Sequence, residues 1–99
     1  MGKLEYVCIK VPIGTKFATI GVWNTKEQCI SMMTINLLDN ADYWGITIND
    51  LKGGWQNASE KLEDESIIET WFEFDGHDMH LEILRETKAN CYTINADWN

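Results

Sequence analysis

The sequence predicts an α+β domain that is mainly antiparallel β-sheet, with one short helix at about residues 58–65. Two observations lead to this fold class. Apolar and polar residues alternate over residues 4–11 and 69–84, which is the period of a half-buried strand. Clusters of turn residues separate the strand-like stretches, as they do in sheets built from hairpins. We therefore expect a single globular domain over residues 1–99.

The first half of the chain reads as a series of strands. Residues 4–11 and 17–23 are two strands separated by Pro12 and Gly14, and we expect these two strands to pair as a hairpin. A third strand over residues 43–48 is rich in aromatic and β-branched side chains.

Residues 25–38 are compatible with two structures. Thr25 and Gln28 form a capping box, which favours a helix over 25–38 packed on the sheet. The stretch Thr34-Ile35-Asn36 has poor helix propensity, however, and the turn cluster at 39–42 leads directly into the next strand. We favour a strand-turn-strand unit and keep the helix as the alternative.

The short helix at about 58–65 depends on charge and capping more than on apolar residues. Ser59 can cap its first turn, where Glu60 and Glu63 interact favourably with the helix dipole. Leu62 is its one strong apolar residue, so the helix should be short. Cys91 to Ile94 forms a last strand.

Residues 69–84 predict a hairpin with one apolar face and one acidic face. A loop at Gly76 and His77 would suit a type II′ turn. The opposite pairs are then Phe74–Met79, Phe72–Leu81, Thr70–Ile83, Glu73–His80, Trp71–Glu82 and Glu69–Leu84. The outer face contains the candidate partner-binding residues, which are Glu69, Trp71, Glu73, Asp75, Asp78, His80 and Glu82. Alternatively, this face packs under the helix and Trp71 belongs to the core.

The charge distribution points to a basic partner. The formal net charge is −8, and residues 60–86 contain ten acids against Lys61 and Arg85. Residues 1–59 and 87–99 each sum to zero, so the whole excess lies in one segment. Such a field repels nucleic acid and attracts a basic surface, although an acidic surface also serves solubility.

Enzymatic and metal chemistry receive little support from the sequence. His77, His80, Asp75, Asp78 and Glu82 are possible ligands, but strand neighbours two residues apart are separated by about 7 Å, which is wide for one ion without help from a loop. No phosphate-binding loop or nucleophile motif is present. We expect no catalytic residue, no metal and no cofactor. The absence of an apolar leader and the three cysteines without a CxxC motif suit a cytoplasmic protein without membrane contact.

The stretch INLLDNADYWGITINDLKG, residues 35–53, resembles a small immunity-protein family of bacterial polymorphic-toxin and contact-dependent inhibition systems. The family has a Leu-Asp-Asn turn, a Trp, and an alternating strand that ends in Asp-Leu. The matching positions are Leu38, Asp39, Asn40, Trp44, Ile46, Ile48, Asp50 and Leu51. The family pattern has Pro-Gly before the Trp, where this chain has Ala41-Asp42-Tyr43, and the match covers about a fifth of the chain.

The resemblance implies a catalytically inert protein that binds and neutralises a cognate toxin. Together with the charge distribution, it predicts an inhibitor of a basic toxin domain, a nuclease, that binds through the acidic segment 60–86. One alternative is a phage-encoded inhibitor of a host defence nuclease. Another is a small metal- or sugar-binding domain that uses the histidines and tryptophans. The sequence does not determine the oligomeric state.

Overall fold

The computed structural model describes residues 5–24, 27–40, 44–49, 55–57, 67–74 and 76–98, and these ranges form eight strands and no helix. The strands are β1 (Glu5–Pro12), β2 (Phe17–Asn24), β3 (Cys29–Asp39), β4 (Trp44–Asn49), β5 (Trp55–Asn57), β6 (Ile67–Phe74), β7 (His77–Glu86) and β8 (Cys91–Trp98). All observed pairings are antiparallel, which confirms the predicted sheet class. The helix predicted for residues 58–65 lies outside the described residues.

The strands form two four-stranded sheets that enclose a common core. Sheet I has the order β1-β8-β7-β6, and sheet II has the order β2-β3-β4-β5. Each strand of the core places every second side chain inward, as the pleat requires. The core combines both sheets and consists of Ala18, Ile20, Val22, Met33, Ile35, Leu37, Trp44, Ile46, Ile48, Ile68, Phe74, Met79, Leu81, Ile83, Tyr92, Ile94, Ala96 and Trp98. The fold is thus a β-sandwich.

The predicted hairpin between the first two strands is wrong. β1 pairs with β8 and β2 pairs with β3, so these two strands belong to different sheets. The short connection between them is held at both ends by backbone hydrogen bonds. The Ile13 N–H donates to the Asn90 carbonyl at the β7–β8 turn, and the Leu37 N–H donates to the Lys16 carbonyl. These bonds attach the start of the connection to sheet I and its end to sheet II.

The alternative of a helix over residues 25–38 is also wrong, whereas the favoured strand assignment is confirmed. Cys29–Asp39 is an eleven-residue strand whose residues Met33, Ile35 and Leu37 are buried. Gln28 has a φ of 52°, a left-handed conformation that a helix start does not allow. The alternating burial of the following residues therefore determined the structure, and the capping-box pattern did not start a helix.

The hairpin of β6 and β7 keeps the predicted faces but shifts the predicted register by two residues. Phe74 pairs with His77, which leaves residues 75 and 76 between the strands instead of 76 and 77. Gly76 has a φ of 81°, as an Asp-Gly hairpin loop requires. The observed pairs are Ile67–Leu84, Ile68–Ile83, Glu69–Glu82, Thr70–Leu81, Trp71–His80, Phe72–Met79 and Glu73–Asp78. A shift of two preserves the side-chain alternation, so no residue changes face.

Polar contacts connect the two sheets at both ends of the sandwich. At one end, the Arg85 Nε donates to Asp39 Oδ2 at 2.8 Å, and the Tyr92 hydroxyl donates to the same carboxylate. Burial raises the pKa of Tyr92, and the neighbouring Asp39 raises it further, so the hydroxyl keeps its proton. At the other end, His77 Nε2 lies 3.1 Å from the Trp23 carbonyl.

Candidate functional site

The outward side of sheet I forms a surface that we call the acidic face. Its described carboxylates come from three adjacent strands and are Glu69, Glu73, Asp78, Glu82, Glu86 and Asp97. Lys10 on β1 and His80 on β7 are the basic side chains found on the described part of this face. Six of the seven predicted residues therefore share one surface, and Asp75 lies outside the described residues. The pleat accounts for this, because these residues all occupy alternate strand positions.

Trp71 lies on the acidic face with 67% of its surface exposed. The alternative that Trp71 belongs to the core is therefore wrong. Its ring stacks on the His80 ring, with the centroids 4.9 Å apart and the planes inclined by 22°. His80 is the direct cross-strand partner of Trp71, so the stacking follows from the register. The indole is thus held in a fixed orientation on the surface.

His80 is held between two carboxylates. Its Nε2 lies 2.8 Å from Glu69 Oε2, and its Nδ1 lies 3.3 Å from Asp97 Oδ2. The predicted pair with Glu73 is not formed, because the register is shifted. The pKa of His80 is raised, first by the hydrogen bond to Glu69 and then by Asp97, while burial opposes the shift. Both ring nitrogens face acceptors, which the doubly protonated imidazolium satisfies.

Two pairs of like charges lie directly opposite each other in the β6–β7 hairpin. Glu69 pairs with Glu82, and Glu73 pairs with Asp78. Directly opposed like charges destabilise a sheet. Glu82 has some compensation, since the Asn95 amide donates to it at 3.4 Å. The hairpin therefore keeps opposed carboxylates, although Glu69 is also bound by His80.

A shallow depression of about 450 Å³ crosses the acidic face between β1, β8 and β7. Its lining includes Tyr6, Cys8, His80, Glu82, Asn95 and Asp97. Tyr6, Asp97, His80 and Trp71 occupy one row across the four strands of sheet I. Aromatic rings beside carboxylates are suited to a guanidinium or ammonium group, through charge-assisted hydrogen bonds and cation–π contact.

The sequence prediction missed the contribution of β8 and β1 to this surface. The last strand was expected to end at Ile94, whereas β8 runs to Trp98 and places Asn95 and Asp97 on the acidic face. The alternation of buried Tyr92, Ile94, Ala96 and Trp98 with polar residues contained this signal.

Sheet II has a second outward surface of opposite character, which we call the apolar face. Its exposed apolar residues are Phe17, Trp23, Ile30, Met32 and Leu38. The remaining outward positions that the structure describes on β2, β3 and β4 are uncharged, and are Thr19, Gly21, Thr34, Asn36, Gly45 and Thr47. In the part of the chain that the structure describes, sheet I therefore has an acidic outer side and sheet II an uncharged one.

Metal-binding groups and membrane helices are not found among the described residues. No three His, Cys, Asp or Glu side chains in these ranges are arranged to hold a metal ion. Nor do these ranges include a helix with the length and hydrophobicity that crossing a membrane requires. The cysteines Cys8, Cys29 and Cys91 are free thiols.

No family model, no curated protein and no solved structure matches this chain.

Proposed function

We propose that this protein is an immunity protein that binds a basic toxin domain, a nuclease, through the acidic face and thereby neutralises it. The observation that carries the proposal is the exposed Trp71, stacked on His80 and flanked by carboxylates of β6 and β7. A large aromatic side chain with a charged surround is the usual composition of a binding hot spot.

The negative charge of the acidic face favours a basic partner. Nucleases hold substrate phosphates with lysine and arginine side chains, and these groups interact as favourably with carboxylates. On the acidic face, Glu73 and Asp78 are exposed, and the described basic groups nearby do not balance the six carboxylates. Such a surface accelerates association with a basic protein and excludes nucleic acid from the same site.

The stacking of Trp71 supports its role as the anchor. A side chain that is already fixed loses little conformational entropy when a partner covers it. His80 holds the indole by stacking and is itself held by Glu69 and Asp97. The anchor is thus preorganised by the same carboxylates that would attract the partner.

The opposed carboxylates also support a binding role. The pairs Glu69–Glu82 and Glu73–Asp78 weaken the hairpin in the free protein. Opposed like charges that lower stability are typical of functional surfaces. Lysine or arginine side chains of a partner placed between these carboxylates would remove the repulsion and add attraction.

The test is affinity capture from the native cell with three forms of the full chain as bait. The first is the wild type, and the second is the double variant Glu73→Lys/Glu82→Lys. The third is the control Glu5→Lys/Glu27→Lys, which reverses two exposed glutamates away from the acidic face. Each reversal adds two positive units, so both double variants have a net charge of −4 instead of −8.

We expect the wild type and the control to retain a basic protein that the Glu73→Lys/Glu82→Lys variant loses. Equal capture by all three baits would place the interface elsewhere. Loss in both variants would attribute the binding to net charge alone and would also contradict the proposal. If the captured protein is encoded beside this chain, it is a cognate toxin, whereas a host defence nuclease would identify an inhibitor of the phage type.

A further inference from the structure

β2 is the least protected edge strand of the sandwich. The two sheets end at β1, β6, β2 and β5 within the described residues. β1 contains Lys10 and Pro12, β6 contains Glu69 and Glu73, and β5 is three residues long. Charges, proline and short length are the features that prevent edge strands from pairing with other chains. The eight residues of β2, FATIGVWN, contain neither a charge nor a proline.

The backbone of β2 directs hydrogen-bonding groups to its open side. The Leu37 N–H donates to the Lys16 carbonyl, so the even-numbered residues of β2 exchange hydrogen bonds with β3. In an antiparallel pair the intervening residues direct their N–H and C=O groups away from the partner strand. Those are residues 17, 19, 21 and 23. The contact of His77 Nε2 with the Trp23 carbonyl is consistent with this direction.

The absence of charge on the described β2 edge suits it to bind a second copy of this chain. Most surfaces of a chain with a net charge of −8 would repel a second copy. The described outward side chains of β2, β3 and β4 are uncharged, however, and the acidic face lies on the other sheet. Two copies can therefore meet at β2 while their acidic faces remain apart.

We propose that two copies of this chain associate through antiparallel pairing of their β2 edges, which joins two copies of sheet II into one eight-stranded sheet. A twofold axis at Ile20 places residue 17 opposite 23 and residue 19 opposite 21, so that their outward-directed N–H and C=O groups can bond to the second copy, except for the Trp23 carbonyl, which already contacts His77. In this register Phe17 faces Trp23 of the second copy, and Thr19 faces Gly21 of the second copy. Phe17 and Trp23 are 63% and 53% exposed in the single chain, and their contact forms a cross-strand aromatic pair.

The test is the mass of the full chain in solution, measured by sedimentation equilibrium over a range of concentrations. We expect the wild type to be a dimer. Thr19→Pro removes an N–H that points to the open side and should weaken the dimer at least about tenfold, because each copy loses a backbone hydrogen bond. Thr19→Val is the matched control that keeps this N–H and should remain dimeric.

A second pair of variants covers the case in which Thr19→Pro does not fold, as judged by circular dichroism. Thr19→Lys places a charge at the paired edge and should give a monomer. Thr34→Lys places the same charge on the neighbouring strand, directly beside Thr19, and should leave the dimer intact. A monomeric wild type, or a dimer that Thr34→Lys dissociates and Thr19→Lys does not, would overturn the edge pairing. These residues lie outside the acidic face, so the result is independent of the proposed function.

Discussion

The most informative stability prediction concerns the like charges of the β6–β7 hairpin. Glu73→Lys places an ammonium group opposite Asp78, and Glu82→Lys places one opposite Glu69. Both substitutions convert a repulsive cross-strand pair into an attractive one. The double variant should therefore be more stable than the wild type, although it is expected to lose partner binding.

The magnitude follows from the position of these pairs. They lie on a solvent-accessible face, where an opposed like-charge pair costs about 0.5 kcal/mol and an opposite-charge pair contributes a similar amount. Each reversal should then raise the free energy of unfolding by about 1 kcal/mol at low ionic strength, or about 2 kcal/mol for both. The loss of the 3.4 Å hydrogen bond from Asn95 to Glu82 subtracts a small part of this gain.

The assay is urea unfolding of the wild type, of Glu73→Lys/Glu82→Lys and of Glu5→Lys/Glu27→Lys at low and high salt. The control variant has the same net charge but leaves the hairpin pairs unchanged, so comparing the two variants separates the hairpin pairs from net charge. The hairpin variant should exceed the control at low salt, and the difference should shrink at high salt. A hairpin variant no more stable than the control would refute the claim that these carboxylates weaken the fold.

Two further predictions concern His80 and Tyr92. Hydrogen bonding to its two carboxylates raises the pKa of His80 above the unfolded value of about 6.5. Its contribution to stability is therefore complete below that value and is lost as the pH rises through the folded pKa; urea unfolding from pH 5 to 9 should show this loss, and His80→Gln should abolish it. An unchanged pH profile in the variant would contradict the role of His80. Tyr92→Phe should lower the free energy of unfolding by about 1 kcal/mol, because the half-buried Asp39 loses a donor, and a loss below about 0.3 kcal/mol would contradict this connection between the sheets.

Alternation predicted the strands and their faces because side-chain orientation is a local property of the backbone. The acidic side of the hairpin was predicted although its register was shifted by two residues, since such a shift moves no side chain to the other face. The loop position was wrong because Asp75-Gly76 and Gly76-His77 both satisfy a two-residue turn by composition. Both loop positions keep Phe74 inward, so the burial of Phe74 in the core does not distinguish between them.

Strand partners were harder to predict because they depend on contacts that are distant in the sequence. β1 has an apolar side that alternation alone could place beside β2 or β8, and in the fold it pairs with β8 along eight residues. For the same reason the sequence did not predict Asp97 as a hydrogen-bond partner of His80, since β8 pairs with β7 only in the folded sheet. Local alternation cannot supply this information.

The sequence did not predict the apolar face, for a different reason. Exposed residues such as Trp23, Ile30 and Met32 occur in strands whose opposite sides are also apolar. In such strands the sequence shows an almost continuous apolar run, which is the pattern of a strand buried on both sides. Only the arrangement of the two sheets reveals which side is covered.

The binding constant of the captured basic protein, measured by calorimetry at several salt concentrations, tests the role of the acidic face most directly. Wild type and Glu5→Lys/Glu27→Lys should bind with similar affinity that falls as the salt concentration rises. Glu73→Lys/Glu82→Lys should bind at least about tenfold more weakly and with a smaller salt dependence, because two carboxylates that contact lysine or arginine are reversed. Unchanged affinity and salt dependence in that variant would show that the partner does not bind the acidic face.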